Sequence, residues 1–190
     1  MPEQALTPAQ RAMVDTWEAH MAAEFDTRSI DATMATMTSE PAVNHVPVMT
    51  GGVGVRNVRD FYSRYFIGHH PPDTKIVPVS RTVGHNRIVD ELIHEFTHTI
   101  EMPWMLPGIA PTGLHVRVAV VVVVEFTGDK ISAERIYWDQ ASVLAQLGLV
   151  DQQRLPVTGA EASRKVENAA AEPSNALIAR SVEPATGRRR

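Results

Sequence analysis

A chain of 190 residues is long enough for one domain and a tail. Apolar residues at 44% and charged residues at 21% let the chain bury a core, and a formal net charge of −4 argues against a nucleic-acid surface, which normally needs a basic face. With no cysteine, neither a disulfide framework nor a thiol nucleophile is available, which fits a reducing compartment.

The N-terminus, MPEQALTPAQ, has no basic region followed by an apolar stretch, so no signal peptide is read there. The longest apolar run, Val118 to Val124, is far short of the roughly 20 residues a membrane span needs. A cytoplasmic protein without a membrane partner is expected. Thr7 and Pro8, an N-cap and a first-turn proline, open a helix in which Met13, Trp17, His20, Met21 and Glu24 fall at helical spacing. Asp26 is read as the cap of a second short helix carrying Ile30, Met34 and Met37. Residues 41–46 read as a short strand. Thr50-Gly51-Gly52-Val53-Gly54 then reads as a tight turn into a third helix, with Val55, Val58, Phe61, Tyr62 and Tyr65 apolar. That glycine cluster lacks the GK[ST] of a phosphate loop.

After His69-His70-Pro71-Pro72 the period changes from helical to alternating. Lys75 to Val83, a turn at Gly84-His85-Asn86, and Arg87 to Ile100 form one hairpin. A Pro-rich connector, EMPWMLPGIAPTG, separates it from a second hairpin: Leu114 to Phe126, a turn at Thr127 to Lys130, and Ile131 to Trp138. A last apolar turn, SVLAQLGLV, follows. Beyond about Pro156 the composition shifts to Ala, Glu, Ser, Pro and Arg, so residues 1–155 are assigned to the domain and 156–190 to a mobile tail. Helices first and an antiparallel sheet afterwards indicate an α+β fold with helices packed on the sheet. Because almost every position across Val116–Val124 is apolar, both faces of that strand should be covered, and a homodimer through the sheet face is expected.

Two segments carry candidate chemistry. His94-Glu95-Phe96-Thr97-His98 matches HExxH, which grips zinc only on a helix, where i and i+4 share a face. On the strand expected here, the two histidines lie roughly 13 Å apart and cannot chelate one ion, so no metal is assigned. A zinc hydrolase is carried as the third functional reading. Tyr137-Trp138-Asp139-Gln140 ends the last strand, followed by Gln146-Leu147-Gly148. A carboxylate there among aromatics is poorly solvated, which raises its pKa and suits it to proton transfer; a plain sheet-end carboxylate paired with Arg135 is the structural alternative.

The order of elements resembles the nuclear-transport-factor-2-like superfamily: helices, a short strand ending in Asn44-His45-Val46-Pro47, a helix with Phe61-Tyr62, then a curved sheet. Asp139 and the following QLG are similar to the SnoaL-like polyketide cyclases and ester cyclases, over about residues 8–150. The resemblance implies a cone-shaped α+β barrel enclosing a cavity, and cofactor-free acid/base chemistry in which Asp139 moves the proton of an aldol closure. The long connector and the C-terminal tail depart from those cyclases.

The leading reading is therefore an enzyme acting without a cofactor on a small, largely apolar carbonyl compound, by cyclisation, isomerisation or lactone opening. Asp139 would carry the proton, Asn44 and His45 would hydrogen-bond an oxygen where negative charge develops, and Glu91 or His98 would be a second proton carrier. Trp104 would act as a lid, and Trp17, Phe61 and Tyr137 would contact the ligand. The alternative is a non-catalytic module of the same fold that binds a small ligand or a partner.

Overall fold

The computed structural model describes residues 5–182; residues 183–190 of the expected tail lie outside the described residues. Thr7 and Gln10 form a reciprocal capping box, and Pro8 occupies the first turn, so α1 (Pro8–Met21) starts where its sequence dictates. A single π-helical turn, Ala22–Asp26, continues it. Asp26 is absorbed into that turn, and Ser29 rather than Asp26 caps α2 (Ile30–Ala35). β1 (Met37–His45) is longer than the expected strand and turns back into β2 (Thr50–Val53).

The glycines of that segment serve close approach as well as a turn. A Cβ at Gly51 would overlap the Val43 carbonyl oxygen, and one at Gly52 would come within 2.7 Å of the Asn57 backbone. Only a chain without side chains there can lie between β1 and α3 (Val55–Phe61). A second π-helical turn, Tyr62–Phe66, extends α3.

β3 (Lys75–Val83), β4 (Arg87–Thr97), β5 (His115–Thr127) and β6 (Lys130–Trp138) complete a six-stranded sheet of order β2-β1-β6-β5-β4-β3. All neighbours are antiparallel except β1 and β6. The alternation of side chains then decides the site. Glu134, Ile136 and Trp138 of β6, even-numbered residues 116 to 126 of β5, and Asp90, Leu92, His94 and Phe96 of β4 are buried on the concave face. α1, α3 and the buried Met102, Trp104, Met105 and Leu106 of the connector join the same core. The result is the mixed α+β cone expected from the order of elements.

The HEFTH segment lies on β4 and the loop after it, so the helical spacing that zinc ligation by HExxH requires is absent. No helix of the described residues is long and apolar enough to cross a membrane.

The segment after Pro156 differs from expectation. α4 (Gln140–Gln146) is followed by α5 (Glu161–Glu167), which packs against β5, and by α6 (Ala176–Val182). The docking is largely polar, which is why an apolar pattern does not reveal it. Arg117 of β5 pairs with Glu95 and with Glu167 of α5 and reaches the buried Ser163 hydroxyl at 3.2 Å. Ser142 donates to the Gly159 carbonyl at 3.0 Å. Part of the outward face of β5 is thus covered by the chain's own α5. Truncation after Pro156 removes two of the Arg117 partners and the acceptor of Ser142, and a melting temperature more than about 5 °C lower is expected, the scale of a few lost hydrogen bonds in a domain of this size. Differential scanning calorimetry measures it, and an unchanged value would refute the docking.

Candidate functional site

α1 presents Trp17 and His20 to the concave face, and the π-helical turn that continues it presents Glu24. The Trp17 and His20 rings stack at 5.5 Å. Trp17 is held by its indole, which donates to Asp90 Oδ2 at 2.7 Å, while Arg81 grips both oxygens of the same carboxylate at 2.7 and 2.8 Å. π-helical turns recur at functional sites, and here both of them carry site residues: Glu24 and Phe25 on one, Tyr62 and Phe66 on the other.

His20 is the hub of a buried ionic cluster. Its Nδ1 lies 2.6 Å from Thr36 Oγ1, and that hydroxyl spends its only proton on the Thr33 carbonyl at 2.6 Å. Nδ1 must therefore donate. Its Nε2 faces Glu24 Oε1 at 3.0 Å and Glu134 Oε1 at 3.2 Å, two carboxyl oxygens placed to accept from it. The ring is an imidazolium. Burial alone would pull its pKa down, but the adjoining Glu134 and Glu24 carboxylates outweigh burial and raise it to about 10.

The Tyr62 hydroxyl completes the set, donating to Glu134 at 3.4 Å and lying 3.2 Å from His20 Nε2. Burial first, then the two carboxylates, hold Tyr62 in its protonated form. Burial also raises the Glu24 carboxyl, against the pull of His20. Two carboxylates only 4% exposed thus share one imidazolium. The same three residues have ligand atoms within 4.8 Å of one another, so they could hold a divalent cation only if it displaced the Nε2 proton.

Glu24, Glu134 and Tyr62 open onto an inner cavity of about 60 Å³ walled by Trp17, His45, Phe66, His94, Trp104 and Trp138. An outer groove of about 780 Å³ runs between the end of α1 and strands β3 and β4. Met21, Glu24, Phe25, Ile76 and Leu92 line both. Glu24 therefore stands at the partition between them.

The expected site residues divide along strand parity. His45, Trp17 and Trp104 line the cavity, and the Phe61 ring lies 5.5 Å from that of His45. Trp104 is wall rather than loose lid: its indole donates to the His69 carbonyl at 3.1 Å, and its own carbonyl accepts from Thr50 at 2.6 Å. Asp139 and Tyr137 are exposed, because Trp138 takes the inward position between them. The Asp139 carboxylate caps α4, accepting from the Ser142 amide at 3.1 Å, and does not reach the cavity. Asn44 is likewise exposed, since its neighbour His45 points inward. Glu91 accepts from Ser80 at 3.2 Å at the groove, and His98 accepts from the Thr112 amide at 3.3 Å, fastening the connector.

Sequence reasoning missed His20, Glu24 and Glu134 as a site. The signal was available: a histidine and a glutamate four apart on an otherwise apolar helix stripe, and a glutamate in phase with Ile136 and Trp138. Three further histidines, His45, His70 and His94, surround Trp104 with ring centroids 5.1 to 5.6 Å from it. Burial lowers their pKa values to about 3, 2 and 4, so all three are neutral.

Comparison with known proteins agrees with this architecture. The family model of SnoaL-like polyketide cyclases matches residues 8–147, and the chain belongs to that family. Among solved structures it is similar to a protein from Jannaschia sp. described as a candidate SnoaL-like polyketide cyclase, at 18% identity and TM-score 0.60, covering 78% of this chain and 100% of that one. TsrD from Streptomyces laurentii matches at 15% identity and TM-score 0.59, covering 77% and 100%. A protein of ketosteroid isomerase-like fold from Catenulispora acidiphila, in complex with trimethylamine, matches at 15% and 0.55, covering 76% and 96%. No curated protein sequence matches the chain.

The histidines set the acid response. For His45, His70 and His94 the folded pKa lies below the ordinary imidazole value of 6.5, so their contribution to stability is present above 6.5 and lost as pH falls toward 4 and below. His20 has the opposite sign: its contribution is present below 6.5 and lost as pH rises through about 10. Urea unfolding at pH 7, 6, 5 and 4.5 should show stability falling by up to about 1.4 kcal/mol per pH unit for each of the neutral histidines. His70→Phe should reduce that slope by about one proton, and a flat profile would refute the assignment.

Proposed function

We propose that this SnoaL-like protein is an acid/base enzyme that needs no cofactor and acts on a small, largely apolar carbonyl compound. The observation that carries the reading is the pair of buried carboxylates, Glu24 and Glu134, sharing the His20 imidazolium at the wall of an aromatic cavity. A group that must both take and return a proton works best when its pKa is raised from the usual carboxylate range, and burial raises that of Glu24.

In the proposed reaction the Glu24 carboxylate removes a proton from the carbon beside a carbonyl. The C–H bond breaks, its electron pair becomes the enolate, and the proton resides on the carboxyl. Return of that proton to a different carbon is an isomerisation. Attack of the enolate carbon on a second carbonyl, with the proton delivered to the new alkoxide, is a cyclisation. Glu134, held by Tyr62 and His20, keeps the imidazolium in place beside Glu24 as its charge changes. Trp17, Phe66 and Trp104 supply the apolar walls that keep water from competing for the enolate.

Hydrogen–deuterium exchange at the α-carbon of 2-tetralone, a small apolar ketone, tests the reading by proton NMR. Exchange catalysed by the protein is expected to fall at least ~100-fold in Glu24→Gln, the usual scale for one acid/base group. Asp139→Asn should leave it unchanged, because asparagine also caps a helix. Binding of the ketone with no catalysed exchange in the wild type would favour the alternative, a ligand-binding module.

The outward face of the sheet supports a homodimer as part of the same proposal. Val121 and Val123 of β5 are half-buried there, and Tyr137 is 41% exposed beside them, opposite Val121 in the ladder. Val122, at 6% exposure, faces the cavity instead. Val121→Lys is expected to give a soluble monomer by light scattering, and Val122→Lys to fail to fold. A wild type at monomer mass would overturn the dimer.

A further inference from the structure

His20 and Glu24 are four residues apart on one helical face, and Glu134 comes to them from β6. Helices grip a single ion with side chains at i and i+4. The spacing that HEFTH wastes on a strand is therefore realised on α1 and its π-helical turn. His20 Nε2 lies 3.0 Å from Glu24 Oε1 and 3.2 Å from Glu134 Oε1. Two donors about 2.1 Å from one zinc ion stand about 3.0 Å apart at a right angle and about 3.4 Å apart at the tetrahedral angle. Both separations fall in that range, and the two carboxylates offer oxygens within 4.8 Å of each other.

Charge points the same way. With both carboxylates ionised, a protonated His20 leaves one negative charge uncompensated in the interior, which is costly. Among the described residues, no lysine or arginine lines the cavity that Glu24 and Glu134 face. A divalent ion held by a neutral imidazole and two carboxylates brings the sum to zero. The ring is also oriented as metal-binding histidines are, by a hydrogen bond from its other nitrogen. Nδ1 donates to Thr36 Oγ1 at 2.6 Å, and that hydroxyl is fixed by the Thr33 carbonyl at 2.6 Å. Tyr62 steadies the Glu134 carboxylate at 3.4 Å. The adjoining cavity of about 60 Å³ has room for about two waters to complete the coordination. Glu24 lines the outer groove as well, which gives an ion its way in. One imidazole and two carboxylates, with no thiolate, suit a first-row divalent ion such as zinc.

We propose that His20 Nε2, Glu24 and Glu134 bind one divalent zinc ion, which takes the place of the Nε2 proton, with cavity water in the remaining positions. The ion and the proton are alternative occupants of one place. Glu24 held as a metal ligand cannot take a proton from a substrate, so bound zinc switches the acid/base chemistry off. That consequence rests on the acid/base reading above; the metal site does not.

The full-length protein, treated with a chelator that is then removed, is titrated with zinc alone by isothermal calorimetry. One zinc per chain is expected. Thr36→Val, which removes the acceptor of Nδ1–H, should weaken binding ~10- to 100-fold, and His20→Gln or Glu134→Gln, which remove a ligand outright, at least ~100-fold. Melting temperatures identify a variant that fails to fold. X-ray absorption at the zinc edge of the wild type carries the test without any variant: one imidazole and at least two oxygen donors at about 2.0–2.2 Å are expected. Two or more imidazoles per zinc, an affinity unchanged in the folded variants, or no stoichiometric binding overturns the site. Saturating zinc should suppress exchange of 2-tetralone as far as Glu24→Gln does, and excess EDTA should restore it. Zinc bound as described with exchange undiminished would leave the metal site standing and remove Glu24 as the base. Catalysed exchange in a protein that binds no zinc would do the reverse.

Discussion

The interior of this protein is organised around one constraint: a cation and two anions are buried where water cannot solvate them. Removing each ion from water costs several kcal/mol, and mutual attraction offsets that only when the remaining hydrogen-bonding capacity is met. Every neighbour of His20 serves that condition. Thr36 accepts from Nδ1, and its own proton is turned away to Thr33. Tyr62 donates into the cluster from the π-helical turn after α3. Glu24 comes from the matching turn after α1, and Glu134 from the concave face of β6. Elements distant in sequence are thus committed to one point, and three helical segments must close on the sheet for the charges to be paired.

The same residue type takes opposite protonation states within this one core. His20, with two carboxylates in hydrogen-bonding range, is held charged, with its pKa near 10; His45 and His94, with none, are driven to about 3 and 4 by burial. Several units of difference in pKa arise without any change of side chain, because proximity to charge reverses the direction in which burial acts. The cavity therefore has two chemically distinct ends. One end holds an imidazolium between two carboxylates, and the other is lined by histidines that stay neutral across the physiological range. Reactions that shift a proton beside a carbonyl need both kinds of group in different places.

The fold was legible because turns and periods are local. The hairpin turns at residues 84–86 and 127–130 and the change from helical to alternating spacing near Lys75 follow from φ/ψ preference and side-chain alternation, and the strands formed as read. Docking of α5 was not legible, because Arg117, Ser163 and Glu167 look like ordinary surface polar residues until the chain brings them together. The site was legible only in part. His45, Trp17 and Trp104 reach the cavity, but Asp139 and Asn44 sit one residue out of phase with it, and in a strand one residue reverses the face. Resemblance could suggest a carboxylate near the end of the last strand; parity selects Glu134 further back on β6 as the one that faces in.

Access to the cavity follows from the same geometry. A volume of about 60 Å³ holds roughly two water molecules, whereas the adjoining groove of about 780 Å³ accommodates a drug-sized molecule. A ring-bearing ligand can pass between them only if the shared side chains Met21, Phe25, Ile76 and Leu92 turn aside. Ile76 and Leu92 are fixed on β3 and β4, whose ladder runs the length of both strands. Met21 and Phe25 sit instead at the end of α1 and on its π-helical turn, next to Glu24. The shared side chains that lie outside the strand ladder thus sit on the turn that carries Glu24, the residue at the partition. The Phe25 ring on that turn lies 4.9 Å from His70 and 6.1 Å from Phe66 and forms part of the wall between groove and cavity.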